Sequence, residues 1–597
     1  MSNDVDLLRR LGKSLNVIKT VEAENLLTAD MWAQTCARQS PERVFMYGEK
    51  RNYTFVETEK LSNRVARWAL DRGLKKDDAV ALVMENRPEY VIAWLGLTKV
   101  GVRIGLINTN LRQKALTHCV QLAKAKAVIF GAELTDAISE IKDTLDGALL
   151  ASWAATGEPS SSLGEDLGAL LSGFSDDAIP RSARSGVKAT DPFGYIYTSG
   201  TTGLPKAAVI RHMRMWSFAV AFTNTNDVTE ADRIFIALPL YHSSGGAVGV
   251  GMGFYTGASI VIRRKFSASR FWEEVSESQS TIIQYIGEVC RYLLAAPATP
   301  YDANHKVRVA IGNGLRPDIW ETFRLRYRLP VICEFYGATE GNVALLALAR
   351  NPEDAGACGR MGLIARKLTG YKIIKLDVIT EEPLRDKNGN CIECAAGEVG
   401  EMLGPIKPDM PTTAFAGYTD SASSMKKVLS DAFVKGDKFF RTGDLMTRDH
   451  RGYYYFVDRL GDTFRWKGEN VSTTEVAECM SVFPGIVEAN VYGALVPGKD
   501  GRACMAAVIW KDNLDLDAFA AYLRKRLPSY AVPIFLRRMA AFEVTGTFKQ
   551  QKVQLREQGI QVDKISDPIF WLNPATQKYE PFGPEQLRSI TAGQAKL

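Results

Sequence analysis

Tyr195-Ile196-Tyr197-Thr198-Ser199-Gly200-Thr201-Thr202-Gly203-Leu204-Pro205-Lys206 is the stretch whose reading decides the fold. The apolar run at residues 193–197 predicts a buried strand that stops abruptly, at Thr198, in hydroxyls and glycines. Gly200 and Gly203 permit tight turns that leave backbone N–H groups free to face an anion. Ser199, Thr201 and Thr202 add hydroxyl donors, and Lys206 adds a mobile positive charge. Such a loop suits a polyphosphate. It is not a Walker A loop, because the spacing G-x-x-x-x-G-K-S/T is absent and Ala207 follows the lysine. The alternative is a plain Ser/Thr/Gly surface turn, and the full string directly after a strand argues against it.

Outward from the loop, residues 54–130 alternate. Helical spacing at 59–70 and 89–99 is interleaved with strand patterns at 79–84, 102–107 and 127–130, which predicts a mainly parallel sheet covered by helices. Residues 151–190, rich in Ser, Gly, Ala and Pro, read as a surface connection. Further strands are expected at 234–238, 259–262, 282–285, 307–311 and 331–335. Ligands of open α/β sheets bind beyond the carboxyl ends of strands, so the groups just past these strands should converge. They are Pro239-Leu240-Tyr241-His242-Ser243-Ser244-Gly245-Gly246, Gly312-Asn313-Gly314-Leu315 and Tyr336-Gly337-Ala338-Thr339-Glu340-Gly341-Asn342.

Residues 371–455 turn to short β segments with the hairpin signal Asn388-Gly389. From Gly461 a separate unit begins, with a capping box at Ser472-x-x-Glu475, strands at 487–496 and 503–510, and a helix at 516–527. The expected class is α/β. A large domain, residues 1–460, has mainly parallel sheets covered by helices plus a small β subdomain; residues 461–597 form a small α+β lid. Gly461 sits at the boundary, where a hinge needs backbone freedom.

Composition sets the frame. The 597 residues exceed one core, and 46% apolar with 24% charged residues is ordinary for a globular protein. A charge of +6, scattered along the chain, does not argue for nucleic acid, although it favours contact with an anionic membrane surface. Nine cysteines without a secretory signal read as reduced thiols in a cytosolic compartment. The pair Cys391 and Cys394 lacks a second ligand pair and reads as part of a hairpin rather than a zinc site. No run is long and apolar enough to cross a membrane. The residues before Ala29 are polar apart from an amphipathic stretch at 7–17, so peripheral attachment is the expectation.

The loop at 195–206 resembles that of the adenylate-forming superfamily, which includes acyl-CoA synthetases, firefly luciferase and peptide-synthetase adenylation domains. Tyr336-Gly337-Ala338-Thr339-Glu340-Gly341-Asn342 and Asp458-Arg459-Leu460-Gly461-Asp462 are similar to the fatty acid transport protein branch, also called very-long-chain acyl-CoA synthetases. The resemblance runs from about Asp30 to the C-terminus; several such relatives carry an N-terminal membrane helix, and none is expected within the polar, charged residues 1–29.

The resemblance implies a nucleotide site formed by Thr198, Ser199, Gly200, Thr201, Thr202, Gly203 and Lys206. It assigns Mg²⁺ to Glu340 and Thr201, and the α-phosphate to Thr339. Tyr336, Gly337, Ala338, Gly312, Asn313 and Gly314 lie around the base. Asp444, in Arg441-Thr442-Gly443-Asp444-Leu445, can accept both ribose hydroxyls, and Arg459 faces the nucleotide. Lys549, in Thr545-Gly546-Thr547-Phe548-Lys549, is the expected catalytic lysine; Lys552 reads as a solvated charge. His242, Gly245 and Gly246 border the acyl and thiol tunnels, with the glycines leaving room for an alkyl chain, and Gly468 faces the thioester site.

The implied activity is ATP-dependent activation of long or very long fatty acids through acyl-AMP, with Mg²⁺ and coenzyme A. Cytosolic enzyme would touch the inner face of the membrane, and a homodimer is compatible with the sequence. The alternatives are an acyl-AMP ligase serving a carrier protein and a membrane fatty acid transporter.

Overall fold

A computed structural model describes residues 2–198, 204–377, 380–407, 415–497, 499, 501–542, 550, 552–592 and 594. Two large sheets dominate. The first orders Glu165–Asp166, Leu149–Trp153, Ala125–Gly131, Ala79–Val83, Arg103–Leu106, Pro192–Thr198 and Lys206–Arg211. All its pairs are parallel except the last, where Thr198 opposes Lys206 across the loop. The second orders Ala344–Ala349, Ile332–Gly337, Val309–Asn313, Ile282–Ile286, Arg233–Ile236, Ser259–Ile262, Val44–Tyr47 and Asn52–Thr54, with only its two outermost pairs antiparallel. Strands buried on both faces read as continuous Val/Ile/Leu runs, which is why these were visible in the sequence.

Both sheets contribute to one core. Val80, Leu82 and Ile104 from the first join Ile234, Ile236 and Ile260 from the second, together with Trp94 and Trp216. The helix Pro88–Lys99 is buried at every residue. Phe55–Asp71 starts at a capping box in which Thr54 and Glu57 exchange hydrogen bonds. The α/β expectation is met, and so is the β subdomain: a third, antiparallel sheet runs through Ala357–Arg360, Tyr453–Arg459, Lys438–Arg448, Gly400–Pro405 and Lys372–Ile374. At Gly389 (φ +82°) the Asn388-Gly389 hairpin turns tightly. Cys391 and Cys394 are buried free thiols beside it, and no metal-holding cluster of His, Cys, Asp or Glu occurs among the described residues.

From Phe464 the chain builds another core. Five strands, Ile486–Leu495, Arg502–Trp510, Phe535–Arg538, Ile569–Leu572 and Tyr579–Pro581, pack with the helices Thr473–Ser481 and Leu516–Arg526 around Tyr492, Met505, Phe519 and Phe535. Two segments differ from expectation. Residues 149–166 supply two strands to the first sheet where a surface connection was expected. The N-terminal stretch is a single helix, Ser2–Ala23, longer at both ends than the amphipathic stretch expected at 7–17. Ile18 and Val21 are buried, and Arg10 donates to the carbonyls of Asn224 (2.7 Å) and Thr225 (2.8 Å), tying this helix to the end of His212–Asn226. No described helix is long and apolar enough to cross a membrane.

Candidate active site

Residues 199–203, which include Ser199, Gly200, Thr201, Thr202 and Gly203, lie outside the described residues, but both flanks of the loop are placed. The segment Gly417-Tyr418-Thr419 adds itself to the free edge of the strand Lys206–Arg211: Val209 N–H donates to Gly417 O and Thr419 N–H to Ala207 O, each 3.0 Å. This holds the Tyr418 ring under the Lys206 ammonium, 5.6 Å from its centroid. The Tyr418 hydroxyl donates to Glu340 Oε1 at 2.8 Å. One tyrosine thus joins the lysine after the loop to the carboxylate that ends another sheet. Burial, with the Glu340 charge beside it, pushes the Tyr418 hydroxyl pKa up and keeps it a donor. Tyr418 was not singled out from sequence, because a lone tyrosine in a turn-rich stretch carries no pattern.

Ile332–Gly337 delivers a second group. Tyr336 donates its hydroxyl to Asp444 Oδ2 at 2.5 Å, and Asp444 lies opposite Arg459 in the cross-strand register, with Arg459 Nε 3.8 Å from its other oxygen. Asp444 itself lies within the strand Lys438–Arg448, just after Gly443 (φ +74°), whose N–H donates to buried Glu401. Two residues before Tyr336, Glu334 is buried and accepts from Gly314 N–H (3.0 Å), Leu315 N–H (3.1 Å) and the Tyr285 hydroxyl. It therefore fixes the Gly312-Asn313-Gly314 turn from behind; burial pushes its pKa up to about 7 despite three donors. Ala338, Thr339 and Glu340 follow on the turn after Gly337, half-buried.

A further cation stands here that sequence reasoning passed over. Arg214, on the first turn of His212–Asn226, donates to Ala338 O at 3.4 Å and lies 4.5 Å over the Phe218 ring, while its Nε is buried without a partner. Burial pulls its pKa down, and the neighbouring Tyr371 and Glu340 charges oppose that. Its only sequence signal was its position one strand beyond Lys206.

His242 is half-buried, its ring tilted against Tyr241 with centroids 4.7 Å apart, and its buried Nε2 lacks a partner. Burial lowers its pKa to about 4, so it is neutral at physiological pH. The glycines behind it correct an expectation. A Cβ on Gly245 would fall 2.5 Å from Pro239 O, and one on Gly246 would fall 2.2 Å from Leu240 O. Their bare Cα atoms admit backbone rather than an alkyl chain, and they let Ser243–Val250 wind as a π-helix against the preceding strand end. Gly468 (φ +85°) is exposed at the tip of the Phe464–Trp466/Glu469–Val471 hairpin, and a Cβ there would meet no heavy atom within 4 Å.

Around Gly461 the two units meet. Its φ is not left-handed and a Cβ there would touch nothing, so the conformation seen does not itself require glycine. Asp458 is buried and its carboxylate accepts from Thr473 N–H (2.6 Å) and Thr473 Oγ1 (3.1 Å), capping the helix Thr473–Ser481 across the junction. Lys552 is not the solvated charge expected: it donates to Thr473 Oγ1 at 2.8 Å and lies 3.7 Å from Asp462. Arg556 donates to Gly461 O at 2.6 Å. Lys549 lies outside the described residues.

This arrangement gathers a cationic loop flank, one accessible carboxylate and a Tyr–Asp–Arg chain at strand ends. Glu340 alone cannot cage a metal. An ion that binds through one carboxylate and substrate phosphates while keeping its water suits the donor set, and Mg²⁺ is such an ion.

Residues 33–403 match the family described as AMP-binding enzyme. The chain belongs to the AMP-binding enzyme family. Its similarity to curated members extends nearly end to end. It is 41% identical to long-chain fatty acid transport protein 1 of Mus musculus, over 94% of this chain and 87% of that protein. It is 36% identical to the very long-chain fatty acid transport protein of Cochliobolus heterostrophus, over 97% and 90%. Among solved AMP-binding folds, the anthranilate CoA ligase AuaEII in complex with anthranoyl-AMP matches with TM-score 0.75 at 20% identity, over 91% of this chain and 98% of that one. ATP-bound MatB from Rhodopseudomonas palustris matches with TM-score 0.74 at 23% identity, over 89% and 98%. At these identities the structures speak to the fold.

Proposed function

We propose that this AMP-binding enzyme activates long-chain fatty acids: the carboxylate attacks the α-phosphorus of ATP to give acyl-AMP and pyrophosphate, and coenzyme A then takes the acyl group, releasing AMP. The observation that carries the reading is the convergence of Lys206, Tyr418–Glu340 and Tyr336–Asp444–Arg459, in a chain similar to fatty acid transport proteins along nearly its whole length.

Two anions must be brought together, so the residues act chiefly by charge and position. Loop N–H groups, Thr198, Thr201 and Lys206 would cradle the phosphates. Glu340 would hold Mg²⁺, which when bound draws charge from the phosphate oxygens. Tyr336 would stack on adenine above the Gly312–Gly314 turn, while Asp444 takes the ribose hydroxyls and Arg459 faces the phosphate. Thr339 would orient the α-phosphate, and Lys549 would reach in from the C-terminal unit to neutralise charge developing on the bridging oxygen. Rotation of residues 461–597 about Gly461 would then withdraw Lys549 and bring Gly468 toward the thiol. His242, neutral and unpaired, is suited to a gate beside the acyl group.

The names of the relatives raise transport as a second reading. Activation accommodates uptake, since a coenzyme A thioester is trapped behind the membrane that its acid crossed. The test is product analysis of purified protein with ATP, Mg²⁺, coenzyme A and a ladder of fatty acids. Acyl-CoA and AMP in equal amounts, with long chains preferred, are expected; acyl-AMP accumulating untouched by coenzyme A would instead favour a carrier protein as acceptor.

A further inference from the structure

The helix Leu363–Thr369 projects from the β subdomain with its aliphatic side chains outward. Leu363 is 74% exposed, Ile364 60% and Leu368 55%, while Ala365 alone packs into the core beneath. At about 100° per residue the three fall within an arc of about 140° on one side of the helix, with Lys367 projecting between Leu363 and Ile364. Large exposed aliphatics occur singly elsewhere, as at Leu325 and Val434, and such isolated cases need no explanation. A contiguous group of three does.

The charges in the chain segment that carries this helix are of one sign. Residues 355–376 contain five Lys and Arg and no Asp or Glu. Lys372 and Lys375 are each paired, at 2.7 Å, with Glu393 and Glu398. Arg366 and Lys367, on the helix itself, have no carboxylate partner among the described residues. Aliphatic side chains interleaved with unpaired cations on a surface helix match the chemistry of an anionic lipid interface: acyl tails accept the first and headgroup phosphates the second.

The helix is also close to the site along the chain. Gly370 (φ +72°) ends it in a left-handed turn, and Tyr371 folds straight back. The Tyr371 hydroxyl donates to Asn342 O (3.1 Å) and accepts from Ala344 N–H (3.2 Å), within the turn that carries Glu340. Tyr371 also faces Arg214.

We propose that Leu363–Thr369 is a docking element that seats this protein on an anionic phospholipid surface, with the Glu340 turn immediately behind it. The inference takes its purpose from the fatty acid reading, since such substrates partition into bilayers, but neither its evidence nor its test depends on activity.

The full-length protein is sedimented with vesicles of phosphatidylcholine containing a minority of phosphatidylglycerol, and with pure phosphatidylcholine. The wild type is expected to partition onto the mixed vesicles. The triple variant Leu363→Ser/Ile364→Ser/Leu368→Ser should lose at least ~50-fold in partitioning, from three large apolar side chains removed from the lipid contact. Arg366→Glu/Lys367→Glu should lose at least ~25-fold on mixed vesicles, at about fivefold per charge, and little on pure phosphatidylcholine. An Ile364→Trp variant should shift its fluorescence to the blue on mixed vesicles. The melting temperature and far-ultraviolet circular dichroism of every variant without vesicles should match the wild type, which certifies their folding.

Equal sedimentation of wild type and both variants, or an unshifted Ile364→Trp spectrum, overturns the proposal. So does a wild-type dimer that the triple variant dissolves, which would assign the face to a second copy of the chain. Vesicle binding lost in the variants of a protein that makes no acyl-CoA would uphold docking and sink the activity.

Discussion

Glu334 is a carboxylate that its surroundings have turned into a nearly neutral acid. Burial pushes it up to about 7 from an ordinary value of 4.5. Unfolded chains release this proton first. Between about pH 4.5 and 7 the folded protein therefore holds a proton that the unfolded one lacks, and stability falls as pH rises through that window, then levels above it. Glu334→Gln keeps an acceptor for Gly314 and removes the ionisation. The fall from this site, on the order of 3 kcal/mol, should vanish, and urea midpoints of both proteins at the two ends of the window measure it. An unaltered difference between them would mean that Glu334 is already ionised at low pH.

Glu340→Gln, at the neighbouring turn, removes the charge proposed for Mg²⁺ and should slow adenylate formation by about a hundredfold or more, most severely at limiting Mg²⁺. Tyr418→Phe keeps the ring under Lys206 but frees Glu340, and should cost about tenfold. Titration of the rate with Mg²⁺ separates the two, and normal turnover of Glu340→Gln at low Mg²⁺ would remove that residue from the metal site.

Elements explain what could be read beforehand. Parallel strands announce themselves as apolar runs that stop, and the polar residues just past the stop are the candidates for chemistry; that is why Lys206, the Gly312–Gly314 turn, Tyr336 and Glu340 could be singled out. Leu149–Trp153 and Glu165–Asp166 were hidden because Ser, Gly and Pro surround them and the second is only two residues long. The helix Ser2–Ala23 was hidden because only Ile18 and Val21 are deeply buried, and Arg10 rather than an apolar stripe ties its first half down. Tyr418, Arg214 and the capping role of Asp458 depend on contacts between residues far apart in the chain, which no local period encodes.

At the same scale lies the division between half-reactions. Lys549→Ala should slow adenylate formation by about two or more orders of magnitude while sparing transfer from supplied acyl-AMP. Gly461→Pro fixes φ near −65° and should do the reverse. Single-turnover measurements of each step decide it, and equal damage to both steps by Lys549→Ala would end the alternation model.

Across the whole molecule, the described residues of the two units meet at Asp458 and also through two arginines. Arg291 pairs with Glu488 and donates to Val487 O at 3.2 Å, and Arg316 donates to Glu478 O at 3.2 Å. Half-buried ion pairs of this kind contribute about 1 kcal/mol. Arg291→Ala should therefore loosen the arrangement without unfolding either core. Trypsin cleavage at Arg459, Arg465 or Lys467 should become several-fold faster with the melting temperature unchanged, and an unaltered digestion rate would show that Arg291 holds nothing.

The clasp of Lys552 and Arg556 on Asp462 and Gly461 sets a gear ratio for any such rotation. Lys549 precedes Lys552 by three residues, so chain length alone keeps it within ~11 Å of that pinned backbone, and on the order of 15 Å of the pivot. At so short a radius a tilt of about 4° would shift it by about an ångström, and withdrawing it by the ~6 Å reach of its own side chain would take a swing on the order of 25°. On the proposed mechanism the two half-reactions would be kept apart by angle rather than by distance.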